Sequence, residues 1–115
     1  MKKPKRGEIW LVRFPFTDLS SAKLRPALAW ANHEEDVIVL GIFSRLPAGP
    51  PRKTWLLIDE SDTAFGQTGL KKTSLLKAEK IAIVHETVFQ RKLGKLSQAY
   101  MTQAEEALKK ALLLS

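Results

Sequence analysis

The sequence contains no cysteine, which excludes disulfides, thiolate nucleophiles and cysteine-ligated zinc together. That absence fits a reducing compartment, so a cytoplasmic location is the expectation. Nor does any run approach the ~20 consecutive apolar residues that a membrane-spanning helix needs. The opening, MKKPKRGEIWLVRF, has the basic start of a secretion signal, but its apolar run is short and broken by Glu8 and Arg13. No leader is expected. Internal repeats and low-complexity tracts are missing too. The two histidines, His33 and His85, sit beside acidic residues, and nothing in the sequence brings them together as an acid–base pair. Asp59, Glu60 and Asp62 could face a divalent ion, but without further ligands they read as a solvated turn. No metal and no cofactor is expected.

Acidic residues are also in deficit. Against 12 Asp and Glu stand 19 Lys and Arg, a formal charge of +7. The cations cluster at Lys2–Arg6, Lys23 with Arg25, Arg52 with Lys53, Lys71 with Lys72, and Arg91–Lys95. Such an excess favours a polyanionic partner through phosphate contacts and counterion release. Nucleic acid or an acidic protein is the partner class implied.

The 115 residues are most simply one domain, 1–115, with residues 1–6 as a basic N-terminal tail. Glu8–Phe14, rich in Trp, Val, Ile and Phe, predicts a first strand. Pro26–Ala31 predicts a second, with Leu28 and Trp30 on one face and Ala27, Ala29 and Ala31 on the other. A third strand is expected at Asp36–Phe43 and a fourth at Thr54–Asp59. Two shorter strands are expected at Thr73–Leu76 and Lys80–Val84. Between the third and fourth lies RLPAGPPRK, whose prolines and glycine exclude helix and central strand. From Ser97, a plausible N-cap, Met101, Ala104, Leu108, Ala111 and Leu112 recur at helical spacing. Glu105 precedes Lys109, and Glu106 precedes Lys110, by four residues, which supports a helix. A mainly β (α+β) fold follows: a small curled barrel of five to six strands with a C-terminal helix. Trp10, Trp30 and Trp55 all fall in strand runs and are expected in the core or a dimer interface.

The stretch between the first two strands, PFTDLSSAKLRP, is richer than a tight turn requires. It combines a proline at each end with Thr17, Asp18, Lys23 and Arg25. Function concentrates in loops held by rigid elements, so Arg25 and its loop form the candidate site. Arg25 and Lys23 are candidate phosphate ligands. Asp18 and Thr17 could contact nucleic acid, orient Arg25, or simply fix the turn.

Taken together, KRGEIWLV, PFTD, KLRPAL, DVIVLGIFSR, TGLKKTSLLKAEKIAIV and RKLGKLS resemble, in that order and spacing, the MazF/PemK family of toxin endoribonucleases. The resemblance covers nearly the whole chain. It implies an SH3-like barrel, usually a homodimer, that cuts single-stranded RNA at a short sequence without metal. The products would carry a 2′,3′-cyclic phosphate and a 5′-hydroxyl. The implied protein partner is a disordered acidic antitoxin that occupies the RNA groove. The family's catalytic arginine directly precedes proline, which here is Arg25. Attack by a 2′-hydroxyl builds charge on the phosphorane oxygens, and a guanidinium can hold two of them at once. The family's second catalytic residue is a threonine in an Ile-Thr pair ending the third strand. Here that pair is Ile42-Phe43. The nearest hydroxyl is Ser44, a candidate proton donor, and Phe43 could stack on a base. Arg45 completes the candidate nucleic-acid contacts. The substitution at Phe43 leaves a second expectation open: a catalytically impaired member that binds RNA, DNA or an antitoxin.

Overall fold

The structure, a computed structural model, describes residues 3–13 and 23–115. Six strands and one helix account for most of it: β1 (Glu8–Arg13), β2 (Leu24–His33), β3 (Asp36–Phe43), β4 (Trp55–Ile58), β5 (Ser74–His85), β6 (Phe89–Lys95) and α1 (Gln98–Ala111). All pairings are antiparallel, in one sheet ordered β4-β5-β3-β2-β1-β6. Short 3₁₀ turns stand at Gly66–Thr68 and Glu86–Val88.

The sheet curls but β4 and β6 are not paired. The turn at Gly66–Thr68 packs against β6 instead. Gly69, in the left-handed region at φ 74°, presses on the backbone of Leu93, and Gly94 lies on the carbonyls of Gln67 and Thr68. A Cβ at either position would overlap main-chain atoms. Thr68 is fully buried at this joint, donating to the Phe65 carbonyl at 2.7 Å and accepting from the Leu70 amide at 3.1 Å. Both free edges are protected: β4 is four residues long, and β6 carries Arg91, Lys92 and Lys95.

Two expectations need correction. The strands expected at Thr73–Leu76 and Lys80–Val84 are, from Ser74 on, parts of one 12-residue strand, β5. Its pairing with β3 jumps from Gly41↔Lys77 to Leu40↔Ile81, so Ala78, Glu79 and Lys80 form a bulge rather than a break. Phe89–Lys95, not expected as a strand, pairs with β1.

Strand alternation divides the sheet's apolar residues into two clusters. One, here called the helix face, joins Ile9, Leu28, Leu40, Ile42, Leu56, Ile58 and Leu76 to Tyr100, Ala104, Ala107 and Leu108 of α1. Each fully buried Leu or Ile contributes roughly 1.5–3 kcal/mol relative to exposure. Ser97 caps the helix, its Oγ accepting from the Tyr100 amide at 3.2 Å. The Tyr100 hydroxyl accepts from the Asp59 amide at 3.3 Å, fastening α1 to the end of β4. On the far face Trp10, Val12, Ala27, Ala29, Val37, Val39 and Phe89 pack together, with Trp10 and Phe89 edge to face at 5.8 Å.

Residues 3–6 lie along this body. Pro4 is fully buried, and Arg6 stacks 4.1 Å from the Trp30 ring while reaching Glu105 at 3.5 Å. Gly7 then donates to the Ala29 carbonyl and accepts from the Leu96 amide. Glu105 pairs with Lys109 as the helical spacing predicts, while Glu106 meets Lys109 at 3.8 Å.

Candidate functional site

Arg25 is the second residue of β2 and lies opposite Val12 of β1. Pro26 follows, and a residue before proline is confined to extended backbone. Alternation then fixes the directions: Arg25, with Ala27 and Ala29, belongs to the far face, while Pro26 and Leu28 belong to the helix face. Ala27 is opposite Gly41, so Phe43, two residues on in β3, comes beside Arg25. The Arg25 guanidinium carbon stands 5.9 Å from the Phe43 ring centroid. A cation–π contact of this kind contributes about 0.5–1 kcal/mol at an exposed site. Phe43, where the resemblance implies a threonine, is thus in contact with Arg25.

Ser44, exposed just past the end of β3, lines a different space. It borders a cavity of about 500 Å³ with Pro26, Lys71, Lys72, Ser74 and Arg91. Pro26 and Leu11, both lining it, are on the helix-face side of their strands. Arg25 and Phe43 are therefore brought together, and Ser44 addresses the other side. Lys23 and Arg45 are exposed at the near ends of β2 and β3. Thr17 and Asp18 lie outside the described residues.

The sheet adds residues that sequence reading did not assign to the site. Lys77 of β5 is 5.0 Å from the Phe43 centroid and 4.6 Å from the Trp55 centroid. Arg52, in the segment before β4, is 5.2 Å from Trp55 on its own account. Glu79, in the β5 bulge, accepts from Trp55 Nε1 at 2.7 Å and from Arg52 at 3.3 Å. Burial pushes the Glu79 carboxyl up, but the hydrogen bond from Trp55 and the charge of Arg52 help to outweigh it, and the net shift is down. Lys77 had no signal of its own in the sequence; only the cross-strand register places it between two rings.

Other candidates fall elsewhere. The register sets His33 and His85 on either side of Asp36, at the opposite ends of the strands from Arg25. His85 Nδ1 is engaged with Thr87, accepting its amide at 3.2 Å as the cap of a 3₁₀ turn. Among the described residues no group of three or more His, Asp or Glu could hold a metal ion. No helix among them is long and apolar enough to cross a membrane.

The family model for the PemK-like, MazF-like toxin of type II toxin-antitoxin systems matches residues 5–112. The chain belongs to that family. No curated protein matches the sequence. Among solved structures, an endoribonuclease from Mycobacterial species is similar at 24% identity and TM-score 0.73, covering 99% of this chain and 95% of its own. The Mycobacterium tuberculosis toxin MazF-mt6 superposes at TM-score 0.73 with 18% identity, over 94% of this chain and 98% of that one. A MazE-MazF complex from Deinococcus radiodurans gives TM-score 0.71 at 15% identity, over 99% and 100%. At such identities the likeness shows a shared fold, mainly β with a C-terminal helix, as the sequence predicts.

Proposed function

We propose that this toxin-family protein is an endoribonuclease that cuts single-stranded RNA at a short sequence without a metal ion. The observation that carries the reading is Arg25: a guanidinium on the far face, set against Phe43, in a family of toxins. The substrate's own 2′-hydroxyl attacks the adjacent phosphorus, and the bond to the 5′-oxygen of the next nucleotide breaks. A 2′,3′-cyclic phosphate and a 5′-hydroxyl result. Arg25 holds the phosphorane oxygens as their charge grows, which a planar fork does with two parallel hydrogen bonds. The same chemistry needs a proton acceptor and a proton donor, the donor role falling to Ser44 if the chain past β3 turns it toward the scissile bond. Lys23, Phe43 and Arg45, with Thr17 and Asp18, supply further RNA contacts. The working form is a cytoplasmic homodimer, held inactive by an acidic antitoxin segment. A structural neighbour in complex with its cognate antitoxin supports that part of the reading.

One observation favours a second reading. Phe43 cannot move a proton, and Ser44 borders the cavity on the other side of the sheet. A member that keeps the RNA or antitoxin surface and has lost cleavage fits those two facts. A single assay separates them: purified protein, free of antitoxin, is incubated with long mixed-sequence RNA in EDTA. Fragments ending in cyclic phosphate establish the nuclease. Bound but intact RNA establishes the binding member, and Phe43→Thr then gains cleavage.

A further inference from the structure

Cations and rings alternate across the far face from one strand to the next. Arg25 on β2 is followed by Phe43 on β3, Lys77 on β5, Trp55 on β4, and Arg52 just before it, with neighbours 4.6–5.9 Å apart from cation to centroid. The row crosses four adjacent strands, which stand ~4.8 Å apart, and it runs to the free edge of the sheet at β4. Lys77 makes no ion pair with any described residue; its ammonium rests between two aromatic rings. Trp55 is held by its edge, through Nε1 on Glu79, an arrangement that orients the ring without using its face. Arg52 is tied to the same carboxylate, so Lys77 is the cation of this part of the row that carries uncompensated charge.

We propose that the RNA strand leaves the Arg25 site along this row, Lys77 taking a backbone phosphate and the Trp55 ring a base. The proposal rests on the RNA-cleaving reading and extends its site to β5 and β4. Acidic peptide would use the cations alone, whereas a flat ring set beside each cation suits a chain that alternates phosphates with bases. Every base has a face to stack, and only an unpaired strand can offer it. The present contacts do not block this use. A cation over an exposed ring is held less strongly than a cation on a phosphate, so the flexible Lys77 and Arg52 tips give up the ring as a base arrives.

The test uses the full chain and a labelled single-stranded oligonucleotide of mixed sequence, 2′-O-methylated throughout so that it cannot be cut. Binding is followed by anisotropy over a series of salt concentrations. Lys77→Gln is expected to weaken binding and to lower the slope of log K against log salt by about one. Trp55→Leu is expected to weaken it by roughly five- to a hundredfold, from the loss of one stacked base, with the slope unchanged. Thermal melts identify any variant that fails to fold, and Lys77→Arg, which keeps the charge, is expected to retain the wild-type slope. If both substitutions bind as wild type does while Arg25→Ala does not, RNA takes another path and the proposal falls, leaving the nuclease reading intact. Substitutions that spare RNA binding but dissociate the dimer, or release an acidic peptide, also overturn it, by giving the row to a protein partner. Wild type that binds no oligonucleotide overturns the row and the RNA reading together.

Discussion

On the helix face, β2, β3 and β5 present Leu28, Leu40, Ile42 and Leu76 to Tyr100 and Leu108 of α1, and all are buried. On the far face the same strands present Ala27, Ala29 and Val39, then Arg25, Phe43 and Lys77. Side-chain alternation alone separates the two sets. The helix face is closed by its own chain and returns stability. Toward the β4 edge the far face exchanges packing for cations laid on rings, which are weak in themselves and cheap to rearrange. That asymmetry suits the proposed reading, in which a small domain holds its shape and still releases side chains to a polyanion.

Substitutions should respect the division. Leu76→Ala, at a fully buried helix-face position, is expected to cost about 2–5 kcal/mol, the range for removing a core leucine. Chemical denaturation measures it, and whatever activity remains should track the folded fraction. Gly94→Ala sharpens the other closure, where the turn at Gly66–Thr68 meets β6. Its new methyl group would overlap backbone carbonyls rather than flexible side-chain ends, so about 1–3 kcal/mol or more is expected to be lost. A variant as stable as wild type would mean the turn is not held against β6.

Acid should act on the far face through two carboxyls, each hydrogen-bonded to a tryptophan. For Glu8, burial raises the pKa, but hydrogen bonds from Lys92, the Lys5 amide and Trp10 bring it below its ordinary value. Glu79 behaves likewise beside Trp55 and Arg52. Both titrate lower when folded than when unfolded, so the unfolded chain binds their protons first as pH falls. Their stabilisation is complete above about pH 4.5, the ordinary glutamate value, and is lost below it as pH falls through the folded pKa values. Glu79→Gln, whose amide oxygen still accepts from Trp55, should flatten the acid limb of the melting curve. The smallest effect is expected at the exposed pair Arg6–Glu105: Glu105→Ala should move stability by less than about 1 kcal/mol.

Much of the helix face was legible in the sequence, because apolar periodicity reports burial directly. The spacing of Met101, Ala104 and Leu108, and Ser97 before them, marks a capped amphipathic helix, and the alternation of Leu28 and Trp30 with Ala27 and Ala29 marks two different faces. β6 was not legible: FQRKLGK has only two large apolar residues, Phe89 and Leu93, since an edge strand needs few inward residues and profits from lysines. Gly94 in that run looks like a breaker, yet it is required by the carbonyls of Gln67 and Thr68. The bulge at Ala78–Lys80 likewise reads as a gap between strands until pairing partners are known. Arg25 was found through its motif. Lys77 and Trp55 could not be assigned that way, because their meeting depends on the register of β4 and β5, which no local pattern states.

Cleavage of a long mixed-sequence RNA in EDTA by wild type and by Arg25→Ala, with thermal melts of both, tests the central claim most directly. The account predicts cyclic-phosphate fragments from the wild type, and a rate lower by roughly 10²–10³ in the variant at an unchanged melting temperature. Intact RNA with the wild type, or an Arg25→Ala protein that cuts as fast as its parent, would contradict it.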